Sequence, residues 1–269
     1  MSARWLAASL WLVCATAAPS ASEVLTLVST TTTRDSGLLD HLLPRFERET
    51  GIAVRVISVG TGQALGLGRS GDADVLLVHD RSAEEAFVAD GFALARRDVM
   101  YNDFVLVGPA NDPAGVRGLA DASVALARIA AQQRVFVSRG DESGTHRAER
   151  RLWQRAGVDP SAASGAWYRE TGSGMGATLA TANELAAYTL TDRGSWLAFR
   201  RRAALALLLE SGPGLRNDYG VLVVNSARHP HVKAALATRF ADWLTSPAGK
   251  AAIESFRIDG EVVFHAAAR

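Results

Sequence analysis

The chain has 269 residues, enough for one large domain or for two lobes with sizeable cores. It is 48% hydrophobic and 21% charged, the balance of an ordinary globular protein. The net charge of +1 excludes a global field directed at nucleic acid or a membrane surface.

Residues 1–22 read as a secretory signal peptide: one early charge at Arg4, an apolar run from Trp5 to Val13, then small residues to Ser22. The run falls short of the about 20 apolar residues that a membrane span requires. Cleavage after Ala17, Ala18 or Ser22 is compatible with the pattern. The single cysteine, Cys14, lies in this segment, and Trp11-Leu12-Val13 before it do not suit a lipoprotein signal. The expected mature protein is soluble, free of cysteine and exported to an oxidising compartment. Loss of Arg4 leaves 28 basic against 28 acidic residues, so an anion site would have to rely on local dipoles.

Residues 24–28 form an apolar strand, followed by the hydroxyl-rich turn Ser29-Thr30-Thr31-Thr32-Thr33. Leu38, Leu39, Leu42, Leu43 and Phe46 then fall at helical spacing up to Gly51. One capping residue would serve that helix, with Ser36 or Asp35 available; five consecutive hydroxyls exceed the need and point to a ligand. A second strand, 52–59, opens a helix through Gly60-Thr61-Gly62, and a third strand covers 74–78. A helix is expected over 84–90, extended segments over 99–101 and 104–107, a break at Gly108-Pro109, and a helix over 119–131. Beyond residue 157 come a short strand at 167–170, a Gly-rich turn at 171–176 and a helix over 177–186. Thr171 and Ser173 are weaker ligand candidates in that turn. Strands at 188–191 and 219–224, an apolar run at 205–209 and helices at 231–244 and 248–256 complete the chain. Strands alternating with helices predict an α/β fold with largely parallel sheets.

The most informative stretch is Ser138-Arg139-Gly140-Asp141-Glu142-Ser143-Gly144-Thr145-His146. It joins the apolar run 135–137 to a helix marked by Ala148, Leu152, Trp153 and Ala156. Ser143, Gly144 and Thr145 therefore belong to a first helical turn, whose N–H groups lack internal partners and carry partial positive charge. With Arg139 just before them they form an anion cradle, and Asp141 is placed to hold the guanidinium.

Other chemistries fit less well. Ser143, His146 and Asp141 contain the residue types of a hydrolytic triad, but no Gly-x-Ser-x-Gly elbow surrounds Ser143. His79, Asp80, His229 and His231 lack metal-ligand spacing. Gly66-Leu67-Gly68-Arg69-Ser70-Gly71 has the letters of a dinucleotide fingerprint but follows a helix instead of a strand. Arg139-Gly140-Asp141 spells an adhesion tripeptide, here set within a strand–helix junction.

Four pieces together resemble the Tup-type tungstate-binding components of bacterial ABC importers over nearly the whole chain. They are Thr30–Thr33 with Ser36-Gly37-Leu38-Leu39, residues 59–64, residues 72–79, and Ser138–Glu149. The family pattern has Thr-Thr-Thr-Ser in the first piece; here Thr32 takes the serine's place. The resemblance implies a type II periplasmic binding-protein fold with a cleft between two lobes, each a mostly parallel sheet flanked by helices. Lobe 1 would comprise 23–105 and 220–269, and lobe 2 would comprise 106–219. Thr31, Thr32, Thr33 and Thr61 would bind the oxyanion from lobe 1; Arg139, Ser143, Gly144 and Thr145 would bind it from lobe 2. Asp141 and His146 would stand behind them. The resemblance also implies tungstate or molybdate as ligand, an inner-membrane permease as partner, a periplasmic monomer, and no catalytic residue, cofactor or bound metal ion. Phosphate and sulfate are the nearest rival ligands; phosphate would need an acceptor such as Asp141 or Asp35.

Overall fold

The structure is a computed structural model and describes residues 24–201 and 203–268. The expected signal peptide lies outside the described residues. The chain opens with β1 (Val24–Thr30), α1 (Thr31–Asp35), α2 (Leu38–Thr50), β2 (Ala53–Val59), α3 (Thr61–Ser70), β3 (Val75–Val78) and α4 (Arg81–Ala89). Then follow β4 (Ala93–Pro109), α5 (Ala122–Ala131), β5 (Phe136–Ser138), α6 (Gly144–Arg155), a 3-10 turn at Pro160–Ala163 and β6 (Tyr168–Glu170). Next are α7 (Met175–Glu184), β7 (Thr189–Asp192), α8 (Arg193–Ala198), β8 (Leu205–Leu209) and β9 (Arg216–Val224). The end of the chain forms α9 (Ala234–Thr245), α10 (Pro247–Ser255) and the two-residue strands β10 (Arg257–Ile258), β11 (Glu261–Val262) and β12 (His265–Ala266).

Helix α2 shows how pattern becomes packing. Leu38, Leu39, Leu42 and Phe46 lie on its inward face and are buried. It ends where Gly51, at φ 72°, adopts the left-handed conformation that a side chain disfavours. Phe46 meets Phe240 and Trp243 of α9 edge-on, at centroid distances of 5.0 and 5.6 Å. Helices α2 and α9 thereby share one core.

The main sheet runs β12-β4-β9-β3-β1-β2. Strands β2 and β3 flank β1 in parallel, whereas β9 is antiparallel to both β3 and β4. Strand β4 spans both lobes. Its first part pairs with β9, and Phe104–Pro109 pairs with β7 and β8, also antiparallel. A small parallel sheet, β5-β6, carries the chain into α6. One buried cluster, including Val28, Leu76, Phe87 and Leu222, belongs to the first lobe, and another, including Leu106, Phe136, Trp153 and Tyr188, to the second. The largest runs from Phe46 and Phe240 through Val105 to Leu179 and Trp196, so the lobes share apolar contacts at the crossing.

The architecture is α/β and two-lobed, as expected, but the sheets are mixed rather than mostly parallel. The cause is β4. The two extended segments expected at 99–101 and 104–107 are one 17-residue strand that starts at Ala93, takes in Gly108 and ends at Pro109. Strands that run back along it must be antiparallel to it. The helix expected over 84–90 starts earlier, at Arg81, and the one expected from His231 starts later, at Ala234.

Candidate functional site

The turn after β1 winds into the five-residue helix α1. Thr30 caps it: its hydroxyl accepts from the Thr33 N–H at 3.2 Å. At α2 the cap position falls on Gly37 rather than on Ser36 or Asp35; Asp35 is exposed, while the Ser36 hydroxyl does accept from the Leu38 N–H at 3.3 Å. The hydroxyls of Thr30, Thr32 and Thr33 bond to one another. Thr30 Oγ1 lies 3.0 Å from Thr32 Oγ1 and 2.7 Å from Thr33 Oγ1. Thr31 instead faces a cavity between the lobes.

That cavity measures about 640 Å³ and is lined by Thr31, Gly60, Gly62, Arg139, Asp141 and Ser173, among others. Thr61 opens α3 and is fully buried, and Thr145 lies in the first turn of α6 with 1% exposure. Neither hydroxyl has a hydrogen-bond partner. An orphaned buried hydroxyl is costly unless a ligand or water answers it. They stand at two different helix starts, and neither is among the residues lining the cavity.

Arg139 is 2% exposed at the end of β5. Its Nε and Nη2 donate to Asp141 Oδ2 at 3.1 and 2.5 Å, the ion pair expected from the spacing. Asp141 Oδ1 accepts from the Ser143 N–H. Both oxygens of Asp141 are therefore engaged. Ser143 caps α6, its Oγ accepting from the His146 N–H at 3.2 Å.

His146 is buried, which lowers its pKa, and its Nδ1 accepts from the Glu142 N–H. Ser143, His146 and Asp141 thus form no relay: the serine hydroxyl meets a backbone amide, and the carboxylate serves an arginine and another amide. Gly144 is expected to bind the oxyanion from lobe 2. In the structure the group that approaches it is His79, since a Cβ at 144 would stand 2.7 Å from the imidazole Cε1.

His79 was not among the expected site residues, yet it is central. It is fully desolvated at the end of β3, and burial pulls its pKa down to about 4 against an opposing hydrogen bond to Asn217. Nε2 lies 3.1 Å from Thr32 Oγ1 and Nδ1 lies 3.0 Å from Asn217 Oδ1. The ring stacks on Tyr219 at 4.7 Å. Asn217 donates to Asn102 Oδ1 at 2.6 Å. Asn102 and Asn217 come from β4 and β9, 115 positions apart, so no local motif could announce them.

Glu149, the last residue of the Ser138–Glu149 motif, ties the second lobe together. It accepts from Ser138 Oγ, Tyr168 Oη and Trp153 Nε1 at 2.8, 2.8 and 3.0 Å. Burial pushes its carboxyl up to about 7 despite these bonds. Across the cleft, Asp80 of the first lobe accepts from Arg147 and Arg151 of α6 at 3.3 and 3.5 Å. The candidate metal histidines do not converge, and among the described residues no cluster of three or more metal-ligating side chains occurs. His231 bonds to the Gly71 carbonyl.

A family profile described as "PBP superfamily domain" matches residues 15–248. The chain is 46% identical over 232 residues to a protein named tungstate-binding protein TupA from Peptoclostridium acidaminophilum, covering 86% of this chain and 80% of that one. It superimposes on the tungstate-binding protein TupA from Desulfovibrio alaskensis G20 with a TM-score of 0.80 and 45% identity, covering 92% of this chain and 100% of that one. A structure described as the tungstate ABC transporter from Geobacter sulfurreducens matches with a TM-score of 0.79 and 51% identity, over 87% and 99% of the two chains. The shared fold and the matched motifs make this chain a member of the TupA family within the PBP superfamily.

Proposed function

We propose that this chain captures tungstate, with molybdate as a second ligand, in the periplasm and delivers it to the permease of an ABC importer. The observation that carries this reading is the inter-lobe cavity lined by Thr31, Gly60, Gly62 and the buried Arg139, with the buried hydroxyls of Thr61 and Thr145, which lack partners, in support. Such a site offers donors. Asp141, the acceptor that a protonated anion such as hydrogen phosphate would seek, is already held by Arg139 and the Ser143 amide. Tungstate, molybdate and sulfate carry no proton near neutral pH and need donors only. The names of the matched relatives favour tungstate among these.

In this reading Thr31, Thr32, Thr33 and Thr61 serve from lobe 1 (23–105 and 220–269), and Arg139, Ser143, Gly144 and Thr145 serve from lobe 2 (106–219). The first turns of α3 and α6 add partial positive charge. The ligand draws the lobes together by differential affinity for the closed form, and the closed monomer docks on the permease. In this reading binding without turnover is the whole task, in keeping with the tungstate-binding and transport names of the matched relatives. A thermal-shift panel with tungstate, molybdate, sulfate and phosphate tests this. An ion at 1,000 times its dissociation constant stabilises by about 4 kcal/mol. A flat response to all four ions would refute the proposal.

A further inference from the structure

The turn that carries Arg139 to the cavity is tied to a buried carboxylate that does not itself line the cavity. The Gly140 N–H donates to Ser138 Oγ at 3.3 Å, so the neighbours on either side of Arg139 are joined. Gly140 stands at φ 61°, and a Cβ there would lie 2.8 Å from Glu170 Cβ, so the turn admits no side chain at this position. Thr171 holds the same turn by its backbone, its N–H donating to the Ser138 carbonyl at 3.0 Å. The Ser138 hydroxyl proton goes to Glu149 Oε2 at 2.8 Å. Oε1 of the same carboxylate takes the Trp153 indole N–H at 3.0 Å and the Tyr168 hydroxyl at 2.8 Å. Amide and indole N–H groups only donate and an ionised carboxylate only accepts, so these directions follow from the atoms present.

Glu149 is 1% exposed, and none of its three partners is a cation. A carboxylate buried in this way is costly, and an apolar side chain would fill the space without that cost. What the carboxylate supplies is acceptance at both oxygens: Oε1 serves Trp153 and Tyr168, and Oε2 serves the turn. Resting on the reading of the cleft as an oxyanion site, we propose that Glu149 is a positioning residue for Arg139: its carboxylate takes the Ser138 hydroxyl proton, turns that oxygen's lone pairs to the Gly140 N–H, and so fixes the turn that holds the guanidinium at the cavity wall. Its effect on the anion passes through Ser138 alone.

The test uses the full mature protein labelled with ¹⁵N-arginine, and sodium tungstate as probe. It is run at about pH 8.5, where the Glu149 carboxyl, pushed up to about 7 by burial, is ionised. Ser138→Ala removes the link to the turn. Glu149→Gln keeps an acceptor for Trp153 and Tyr168 but presents a second donor to the Ser138 hydroxyl. Tyr168→Phe removes a bond to the other oxygen and leaves the turn untouched. The Arg139 Nε–H, which donates to Asp141 at 3.1 Å, gives one ¹H–¹⁵N resonance, identified by its loss in Arg139→Ala. In the ion-free protein that resonance should shift or broaden in Ser138→Ala and Glu149→Gln and stay in place in Tyr168→Phe. Tungstate affinity should fall about three- to tenfold in the first two and stay within roughly twofold of wild type in the third. The double variant S138A/E149Q should bind no more weakly than the weaker single variant, because both changes break one path. An unmoved resonance, or wild-type affinity, in both Ser138→Ala and Glu149→Gln overturns the proposal. So do losses of affinity that include Tyr168→Phe and follow the thermal midpoints, since packing alone produces that outcome. Should Glu149→Gln fail to fold, Ser138→Ala decides. Wild-type protein that binds no tungstate defeats the reading of the cleft itself, whereas binding with a static Arg139 resonance defeats only the role of Glu149.

Discussion

His79 of the first lobe and Gly144 of the second touch so closely that a methyl group at 144 would stand 2.7 Å from the imidazole Cε1 and 2.9 Å from Nδ1. The ring cannot retreat, since both nitrogens are bonded and its face rests on Tyr219. Gly144→Ala should therefore hold the lobes apart. Overpacking of this kind costs about 1–3 kcal/mol, which calorimetry would read as roughly a tenfold or greater loss of tungstate affinity. An alanine variant that binds as tightly as wild type would show that the cleft closes without this contact.

Arg139→Ala should abolish oxyanion binding and leave the fold intact. A charge-assisted hydrogen bond is worth about 1.5–3 kcal/mol, and here the loss also leaves Asp141 beside the anion without its cation. Titration calorimetry and a far-ultraviolet spectrum of the same sample separate lost binding from lost structure. Undiminished affinity would remove Arg139 from the site.

Asp80 is 3% exposed and meets Arg147 and Arg151 across the cleft, while both arginines retain contact with solvent. Asp80→Asn breaks the attraction without burying an unpaired cation. Tungstate affinity should fall by about three- to tenfold, with the ion-free thermal midpoint nearly unchanged, because a half-exposed pair adds little to stability itself. Small-angle scattering with tungstate present should show a larger open fraction. Equal affinity at low salt would dismiss the latch.

Glu149 makes stability depend on pH in a stated direction. Burial pushes its carboxyl up to about 7 in the folded protein, from an ordinary 4.5. Below 4.5 both states hold the proton. Between 4.5 and 7 the folded state holds more protons, so its contribution is lost as pH rises through that window. His79, held near 4 against 6.5, acts oppositely and removes stability as pH falls from 6.5 towards 4. Glu149→Gln isolates the first effect. Relative to this variant, wild type should weaken by about 1–3 kcal/mol between pH 5 and pH 8, measured by denaturant melts. A difference that does not change with pH would place Glu149 in its charged form throughout.

Much of this was legible in the chain. The periodicity of Leu38, Leu39, Leu42 and Phe46 announced α2, because a helix buries one face and the period of that face is local. The Arg139–Asp141 pair was legible for the same reason: two positions separate the partners. The resemblance carried by the threonine run and by Ser138–Glu149 led to the fold and the family that the comparisons bear out. What only the tertiary structure decided lies between distant segments. The single strand β4 made the sheets mixed, because hydrogen-bond pairing between strands is a property of neighbours in space. His79 joins Thr32 to Asn217, and Asp80 meets α6, because the fold brings together positions 47, 138 and 67 residues apart. A sequence displays which groups can donate and accept protons; the direction in which those protons point is set by the partners that folding supplies.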